Sequence, residues 1–134
     1  MHHLAILSKK PNFLDLILNG KKTIESRWYQ TKRTPWNKIK AGDTIFLKNS
    51  GEPVKAKAEV SKVLQFELKD RPAESIIKEY GKRICLNSTK GLNKNYCILI
   101  FLKNPKSIKP FKINKEGFGN MSAWITINNI KELR

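Results

Sequence analysis

The stretch GKKTIESRW, residues 20–28, combines charges of both signs with a hydroxyl group. Its threonine, isoleucine and tryptophan favour extended backbone, which predicts a strand over residues 23–29. Successive side chains of a strand point to opposite faces, and we expect Ile24 to face the core. The other face then carries Thr23, Glu25 and Arg27. This row either holds a polar ligand or is a set of solvated charges that contribute little to stability.

Two lysines precede the predicted strand. Gly20 stands where a left-handed cap would end the preceding helix, so Lys21 and Lys22 fall at the junction between helix and strand. A flexible ammonium at this junction can reach a phosphate or a carboxylate across the row. Cations beside a carboxylate suit recognition of phosphate and of the polar edge of a base.

Aromatic side chains are candidate platforms on which a base could stack. Trp28 shares its strand parity with Ile24, so it either packs inward or contacts a ligand. Phe118 stands between glycines, where the backbone either approaches a ligand closely or simply turns. Trp124 precedes the alternating residues ITI and is predicted to lie in the core.

The polar segment QTKRTPWNKIKA, residues 30–41, is predicted to be a basic loop. Trp36 lies within it, near Arg33 and several lysines. This mixture of basic and aromatic side chains is typical of surfaces that bind a nucleic-acid strand.

Composition predicts one domain spanning residues 1–134, because 40% of the 134 residues are apolar, which suffices for a single core. Lysine and arginine number 27 against 11 acidic residues, a formal net charge of +16. Such a field attracts polyanions and weakens with salt, which favours nucleic acid as a partner. Scattered lysines accompanied by abundant asparagine and isoleucine can equally reflect an organism's residue bias.

Several classes of site have no sequence support. Cys85 and Cys97 are too few for a disulfide framework or a zinc site, so we expect both to be reduced. His2 and His3, at the N-terminus, are expected to be frayed or to lie at a strand edge. Metal-ligand spacings, nucleophile motifs and phosphate-binding glycine loops are missing, so we expect no metal and no cofactor. The longest apolar run, residues 96–102, is far shorter than a membrane span, and residues 1–10 do not show a positively charged segment that leads into a long apolar stretch. We therefore expect a soluble, cytoplasmic monomer.

Hydrophobic periodicity predicts strands at residues 4–7, 23–29, 45–47, 54–63, 96–102, 108–113 and 122–127. Helices are predicted from Pro11 to Gly20 and from Asp70 to Gly81, each ended by its glycine. A turn through Pro105 is expected, and residues 84–95 remain unassigned. Five to seven strands with two inserted helices indicate an α+β fold built on a curled, barrel-like sheet.

The same residues resemble a known family. The pattern G-x-K-x-x-E-x-R falls on Gly20, Lys22, Glu25 and Arg27, is followed by Trp28, and precedes a basic loop and G-D-x-I-x-L. In this order, over residues 13–66, the chain is similar to ASCH domains. The resemblance implies a PUA-like fold with the signature residues in a cleft beside the barrel, where RNA would bind.

Three kinds of function follow, two implied by the resemblance and a third suggested by the basic surface. The first is binding of RNA, or of a modified nucleoside within it, by Lys22, Glu25 and Arg27. The second is hydrolysis of RNA or of an acylated nucleoside such as N4-acetylcytidine. Because Glu25 occupies the position of the threonine nucleophile in such amidohydrolases, it would act here as a general base, with Lys22 holding the oxyanion. The third is a protein-interaction module of a transcription or translation complex, with an acidic protein partner.

Overall fold

The structure is a computed structural model that describes residues 1–115 and 123–134. In chain order its elements are β1 (His2–Leu7), α1 (Phe13–Leu18), β2 (Ile24–Tyr29), β3 (Thr44–Asn49), β4 (Val54–Glu67), α2 (Ala73–Ile84), β5 (Tyr96–Phe111) and β6 (Trp124–Ile127). A short 3₁₀ helix, Ile130–Leu133, follows β6. The predicted α+β class, with its strand number and two helices, is confirmed.

All the described strands belong to one curled sheet with the order β2-β5-β4-β3-β1-β6. β1 and β3 run parallel, whereas the other neighbouring pairs are antiparallel. The long β4–β5 pair carries three register shifts, and bulges of this kind bend strands and increase twist. The curl returns the β2 edge to the opposite side of the sheet, where Arg27 of β2 donates a hydrogen bond to Ile6 O of β1.

Apolar side chains form three clusters that fix the two helices on the sheet. Leu14 and Ile17 of α1 close the largest cluster, inside the curl. Ile76 and Ile84 of α2 pack with Ile24 in a second cluster. The third cluster lies on the outer face of β1 and β3, beneath the 3₁₀ helix. The ends of both helices therefore lie next to the first residues of the 20–28 stretch, where Lys22 donates to Leu16 O and Thr23 donates to Arg83 O.

Helix α2 does not end at Gly81, so that prediction is wrong. The helix continues to Ile84 and is capped by Cys85 in the left-handed conformation, with φ +66°. Gly81 is instead a site of close approach, because a Cβ there would lie 2.6 Å from the carbonyl oxygen of Leu86. The segment after the helix can fold back against it only over a residue without a side chain.

The expected turn at Pro105 is also wrong, because β5 continues through it to Phe111. The proline falls where the β4–β5 register shifts, between the pairs Glu59–Lys103 and Lys57–Lys106. Asn104 has a positive φ of +52° at the same point. A proline is accommodated within a sheet at such an irregularity, where no ladder hydrogen bond is lost.

The segment between α2 and β5, which the sequence left unassigned, is irregular and fixed against the end of β2. The backbone N–H of Asn95 donates to Tyr29 O at 3.0 Å, and its side-chain amide donates to Gln30 O at 2.9 Å. The carbonyl of Asn95 accepts from the N–H of Leu68. These bonds place residues 91–94 beside the aromatic end of β2.

Candidate functional site

Lys22 is buried at the junction between α1 and β2. Its backbone N–H donates to Leu16 O at 2.9 Å, and the residue is 2% exposed. The ammonium Nζ donates to the carbonyl of Ile84 at 2.6 Å and lies 3.4 Å from Glu25 Oε1. It also lies 4.6 Å from the centroid of the Phe13 ring. Lys22 therefore ties the end of α2 to β2, with its charge directed toward Glu25.

Glu25 lies between two cations and is 4% exposed. Its Oε1 accepts from the N–H of Ser26 at 3.0 Å, and its Oε2 accepts from Arg27 Nη2 at 3.1 Å. Burial alone would raise the pKa of the Glu25 carboxyl, but the charges and hydrogen bonds of Lys22 and Arg27 outweigh it and hold the pKa below its ordinary value. Glu25 is therefore an ionised acceptor at neutral pH.

Arg27 bridges the two edges of the curled sheet. Besides Glu25, its guanidinium donates to Ile6 O at 3.3 Å and to Ala123 O at 3.4 Å. Its Cζ lies 5.0 Å from the centroid of the Trp124 ring, over the ring face. These contacts hold a largely buried guanidinium in one orientation, which a flexible lysine could not reproduce.

A cavity of about 350 Å³ opens above this group of charges. It is bounded by the end of β1, the start of α1, strand β2 and the segment before β5. Its lining residues are Ile6, Leu7, Ser8, Phe13, Glu25, Ser26, Arg27, Trp28, Tyr29, Gly91, Leu92 and Lys94. We call this cavity the cleft. Lys22 is not among its lining residues and acts on it through Glu25.

The side walls of the cleft are aromatic. Trp28 packs against the cluster beneath α2, as its strand parity predicted, and it also lines the cleft. Its Nε1–H donates to Ser26 Oγ at 2.9 Å, which fixes the ring. Phe13 and Tyr29 provide further ring surface. The arrangement combines aromatic faces with a carboxylate and a guanidinium, and both of these groups can hydrogen-bond to the edge of a planar ligand.

Of the remaining candidate residues, those that the structure describes do not line the cleft. Gly20 ends α1 with φ +84°, and Lys21 is exposed on the far side of that turn. Trp36 is half-buried, with its ring 5.2 Å from that of Tyr96. Arg33 is exposed and lies 5.1 Å from the Tyr29 ring, so it approaches the cleft from outside. Phe118 lies outside the described residues.

Most of the lining residues were missed by sequence reasoning, among them the two aromatic residues Phe13 and Tyr29 and the cation Lys94. Phe13 looked like an ordinary core residue of α1, and Tyr29 was treated only as the end of a strand. Lys94 belongs to the segment that no periodicity could assign. The only available signal was the proximity of Tyr29 to Trp28 in the sequence.

His3 is neither frayed nor at a strand edge, contrary to prediction, because it lies in β1, which pairs with β3 on one side and β6 on the other. It is fully buried, and its Nε2 lies 2.8 Å from Asp43 Oδ2. The indole N–H of Trp124 donates to His3 Nδ1 at 3.2 Å, and because an indole can only donate, Nδ1 is unprotonated and Nε2 carries the hydrogen. Burial is the largest influence and lowers the pKa of His3 despite the opposing effect of Asp43. The neutral imidazole thus supports the ring on which Arg27 rests.

Neither a metal centre nor a membrane-spanning helix is found in the part of the chain that the structure describes. Histidine, cysteine, aspartate and glutamate do not form any group of three or more that could hold an ion among residues 1–115 and 123–134. The helices within those ranges are too short and too polar to cross a bilayer.

No protein-family model matches the sequence, and no curated protein matches it either. Among solved structures, the ASCH protein of Zymomonas mobilis is similar over 98% of this chain and 90% of its own, with a TM-score of 0.70 and 17% identity. A tyrosine-to-phenylalanine variant of that protein has a TM-score of 0.70 at 17% identity, and a serine-to-alanine variant has a TM-score of 0.69 at 19% identity. Both cover 98% of this chain, and 93% and 91% of their own. At such identity the likeness concerns the fold alone. The chain therefore has the fold of these ASCH proteins: a curled, half-barrel sheet with two helices.

Proposed function

We propose that this chain is an ASCH-type domain that binds RNA, or a modified nucleoside within RNA, in the cleft. The observation that carries the proposal is the pairing of Glu25 and Arg27 at the inner end of a cavity walled by Phe13, Trp28 and Tyr29. A base can stack on the rings while its polar edge meets the charged pair. The cavity volume of about 350 Å³ is at the lower end of small-molecule sites, which suits a single nucleoside.

Glu25 retains the capacity to accept one hydrogen bond from a ligand. A carboxylate has about four acceptor positions. The Ser26 N–H and the Lys22 ammonium approach Oε1 of Glu25. Among the described residues, Arg27 is the only donor to Oε2. An exocyclic amine of cytosine, adenine or guanine is a donor of the required kind. Lys94 at the rim can meet a phosphate.

Binding is better supported than catalysis. An efficient general base has a pKa near the working pH, whereas the pKa of Glu25 is lowered and its oxygens are held by three donors. The Lys22 ammonium is occupied by Ile84 O and by Glu25. Ser26 Oγ accepts a hydrogen bond from Trp28, and neither a histidine nor a cysteine is among the residues lining the cleft. The hydrolase and ribonuclease hypotheses remain predictions that the same experiment tests.

Two tryptophans provide a matched test. Binding of a labelled single-stranded RNA is measured by fluorescence anisotropy for the wild type, Trp28→Ala and Trp36→Ala. Loss of a stacked base costs about 1–3 kcal/mol, so we expect Trp28→Ala to weaken binding by roughly 5- to 150-fold. Trp36, which does not line the cleft, should have a much smaller effect. Equal losses in the two variants would refute binding in the cleft.

Turnover is tested with N4-acetylcytidine and with single-stranded RNA. Product formation that disappears in folded Glu25→Gln protein would establish an enzyme and overturn the binding-only proposal. An interaction module for an acidic protein instead predicts that RNA affinity is unaffected by Trp28→Ala, while charge removal in the loop of residues 31–40 weakens the protein complex.

A further inference from the structure

A second, larger cavity adjoins the cleft, with a volume of about 780 Å³. It lies between the C-terminal half of α2 and the segment that follows the helix. Its lining residues are Pro11, Ile77, Lys78, Gly81, Lys82, Cys85, Leu86, Asn87, Ser88 and Lys90. We call this cavity the α2 groove. None of the residues of the ASCH signature lines the α2 groove.

The two cavities share their dividing wall. Pro11 lines the α2 groove and Phe13 lines the cleft, and likewise Lys90 and Gly91 border one cavity each. Beside this wall, Lys22 Nζ donates to Ile84 O and the backbone N–H of Thr23 donates to Arg83 O at 2.9 Å, which holds the end of α2 against the start of β2. A chain that leaves the cleft over residues 90–91 therefore enters the groove directly.

The chemistry of the α2 groove suits a polyanion with apolar parts. All its charged lining residues are lysines, namely Lys78, Lys82 and Lys90, and each is exposed. None of them pairs with a carboxylate among the described residues. The apolar floor is formed by Pro11, Ile77 and Leu86. Cations at the rim and apolar surface below are what a nucleotide strand requires for its phosphates and bases.

The spacing of the cations favours consecutive phosphates. Lys78 and Lys82 are one helical turn apart, about 6 Å along the axis of α2. This distance is close to the separation of successive phosphates along an extended single strand. A free nucleoside, by contrast, would fill the cleft and leave the groove vacant.

From these observations we propose that the ligand is single-stranded RNA, with one base in the cleft and the adjoining nucleotides in the α2 groove. The inference rests on the proposed function of the cleft and specifies its substrate class. Each lysine neutralises one phosphate, so the three together account for a slope of about 2 in the dependence of log K on log salt, at about 0.7 per phosphate on single strands.

The test compares two triple variants that remove the same charge. The groove variant is Lys78→Ala/Lys82→Ala/Lys90→Ala. The control variant is Lys103→Ala/Lys106→Ala/Lys109→Ala, which removes exposed lysines of β5 that line neither cavity. Each protein is titrated with single-stranded RNA of about ten nucleotides, a length within the range of about 4–16 that single-strand binding domains cover. The RNA titrations are made at about 50 and 200 mM salt. Binding of a mononucleotide is followed by NMR.

We expect the groove variant to bind RNA more weakly and with a salt slope lower by about 2. Between the two salt concentrations the wild type should thus lose roughly 20-fold more affinity than the groove variant does. The control variant should keep the wild-type slope, and mononucleotide binding should be unchanged in both triple variants.

Equal slopes in the two triple variants would overturn the groove assignment while leaving the cleft proposal intact, provided that Trp28→Ala still weakens binding. If the groove variant binds RNA normally but no longer binds a polyglutamate peptide that the wild type binds, the groove is the site of an acidic protein segment instead. A wild type that binds neither RNA nor mononucleotide would refute the cleft proposal and this inference together.

Discussion

Replacing Glu25 by glutamine removes the only negative charge among the three residues of the buried ion cluster. Lys22 and Arg27 would then face each other's charge across a neutral amide, with Lys22 side chain 1% exposed and Arg27 side chain 12% exposed. Removing one partner of a buried pair leaves an uncompensated buried charge, which costs about 3–5 kcal/mol. We expect Glu25→Gln to lose stability in this range.

Urea unfolding followed by circular dichroism measures the change. With a denaturant slope of about 2 kcal/mol per molar, the unfolding midpoint should fall by about 2 M while the slope itself stays constant. The matched control is Glu79→Gln, which breaks an exposed ion pair with Arg71. Exposed pairs contribute about 0–1 kcal/mol, so the control midpoint should move by less than about 0.5 M.

Restoring charge balance provides a second readout. In the double variant Lys22→Met/Glu25→Gln, the unpaired ammonium is replaced by an apolar side chain of similar length. Since apolar replacements of buried pairs are often neutral, the double variant should be more stable than Glu25→Gln alone. A loss below about 1 kcal/mol for Glu25→Gln, indistinguishable from the exposed control, would refute the buried ion cluster.

The pH dependence follows from the direction of the pKa shift. The folded pKa of Glu25 lies below its ordinary value of 4.5, so its contribution is fully present above that pH and is lost as the pH falls through the folded pKa. The stability difference between the wild type and Glu25→Gln should therefore shrink below pH 4.5. A difference that widens on acidification would show that the carboxyl is protonated when folded.

Three further predictions concern residues away from the cleft. Burial holds the pKa of His3 below its ordinary 6.5, so protonation of the histidine favours the unfolded state as the pH falls. The melting temperature of His3→Gln should therefore depend less on pH between 7 and 5 than that of the wild type. Parallel curves of melting temperature against pH would contradict this. Gly81→Ala should lower the free energy of unfolding in urea by about 1–3 kcal/mol, because the new Cβ meets the Leu86 carbonyl. The same substitution at an ordinary helical site would raise it by up to about 1 kcal/mol. Any increase in the stability of Gly81→Ala would refute the close approach. Burial raises the pKa of Cys97, so in the native protein iodoacetamide should modify half-buried Cys85 before it modifies Cys97. Mass spectrometry measures the two rates of modification, and equal rates would contradict the buried position of Cys97.

Local patterns were sufficient to predict most of the elements. The alternation of Val54, Ala56 and Ala58 with charged residues predicted β4, and the apolar run of residues 96–102 predicted the N-terminal half of β5. These predictions hold because side-chain periodicity reports which face of an element is buried. Gly81 and Pro105 misled, because both residues commonly interrupt elements, whereas here Gly81 admits the carbonyl of Leu86 and Pro105 lies at a register shift of the β4–β5 pair.

By itself the sequence determined that Glu25 and Arg27 share one face of β2, since a strand alternates its side chains regardless of what surrounds it. Only the tertiary structure decided that this face is the wall of a cleft. The curl of the sheet brings Ile6 and Ala123 to the Arg27 guanidinium, and the end of α2 brings the Ile84 carbonyl to Lys22. Such contacts join residues far apart in the chain, and no local pattern encodes them. The burial that they produce is what turns a row of charges into a fixed ion cluster.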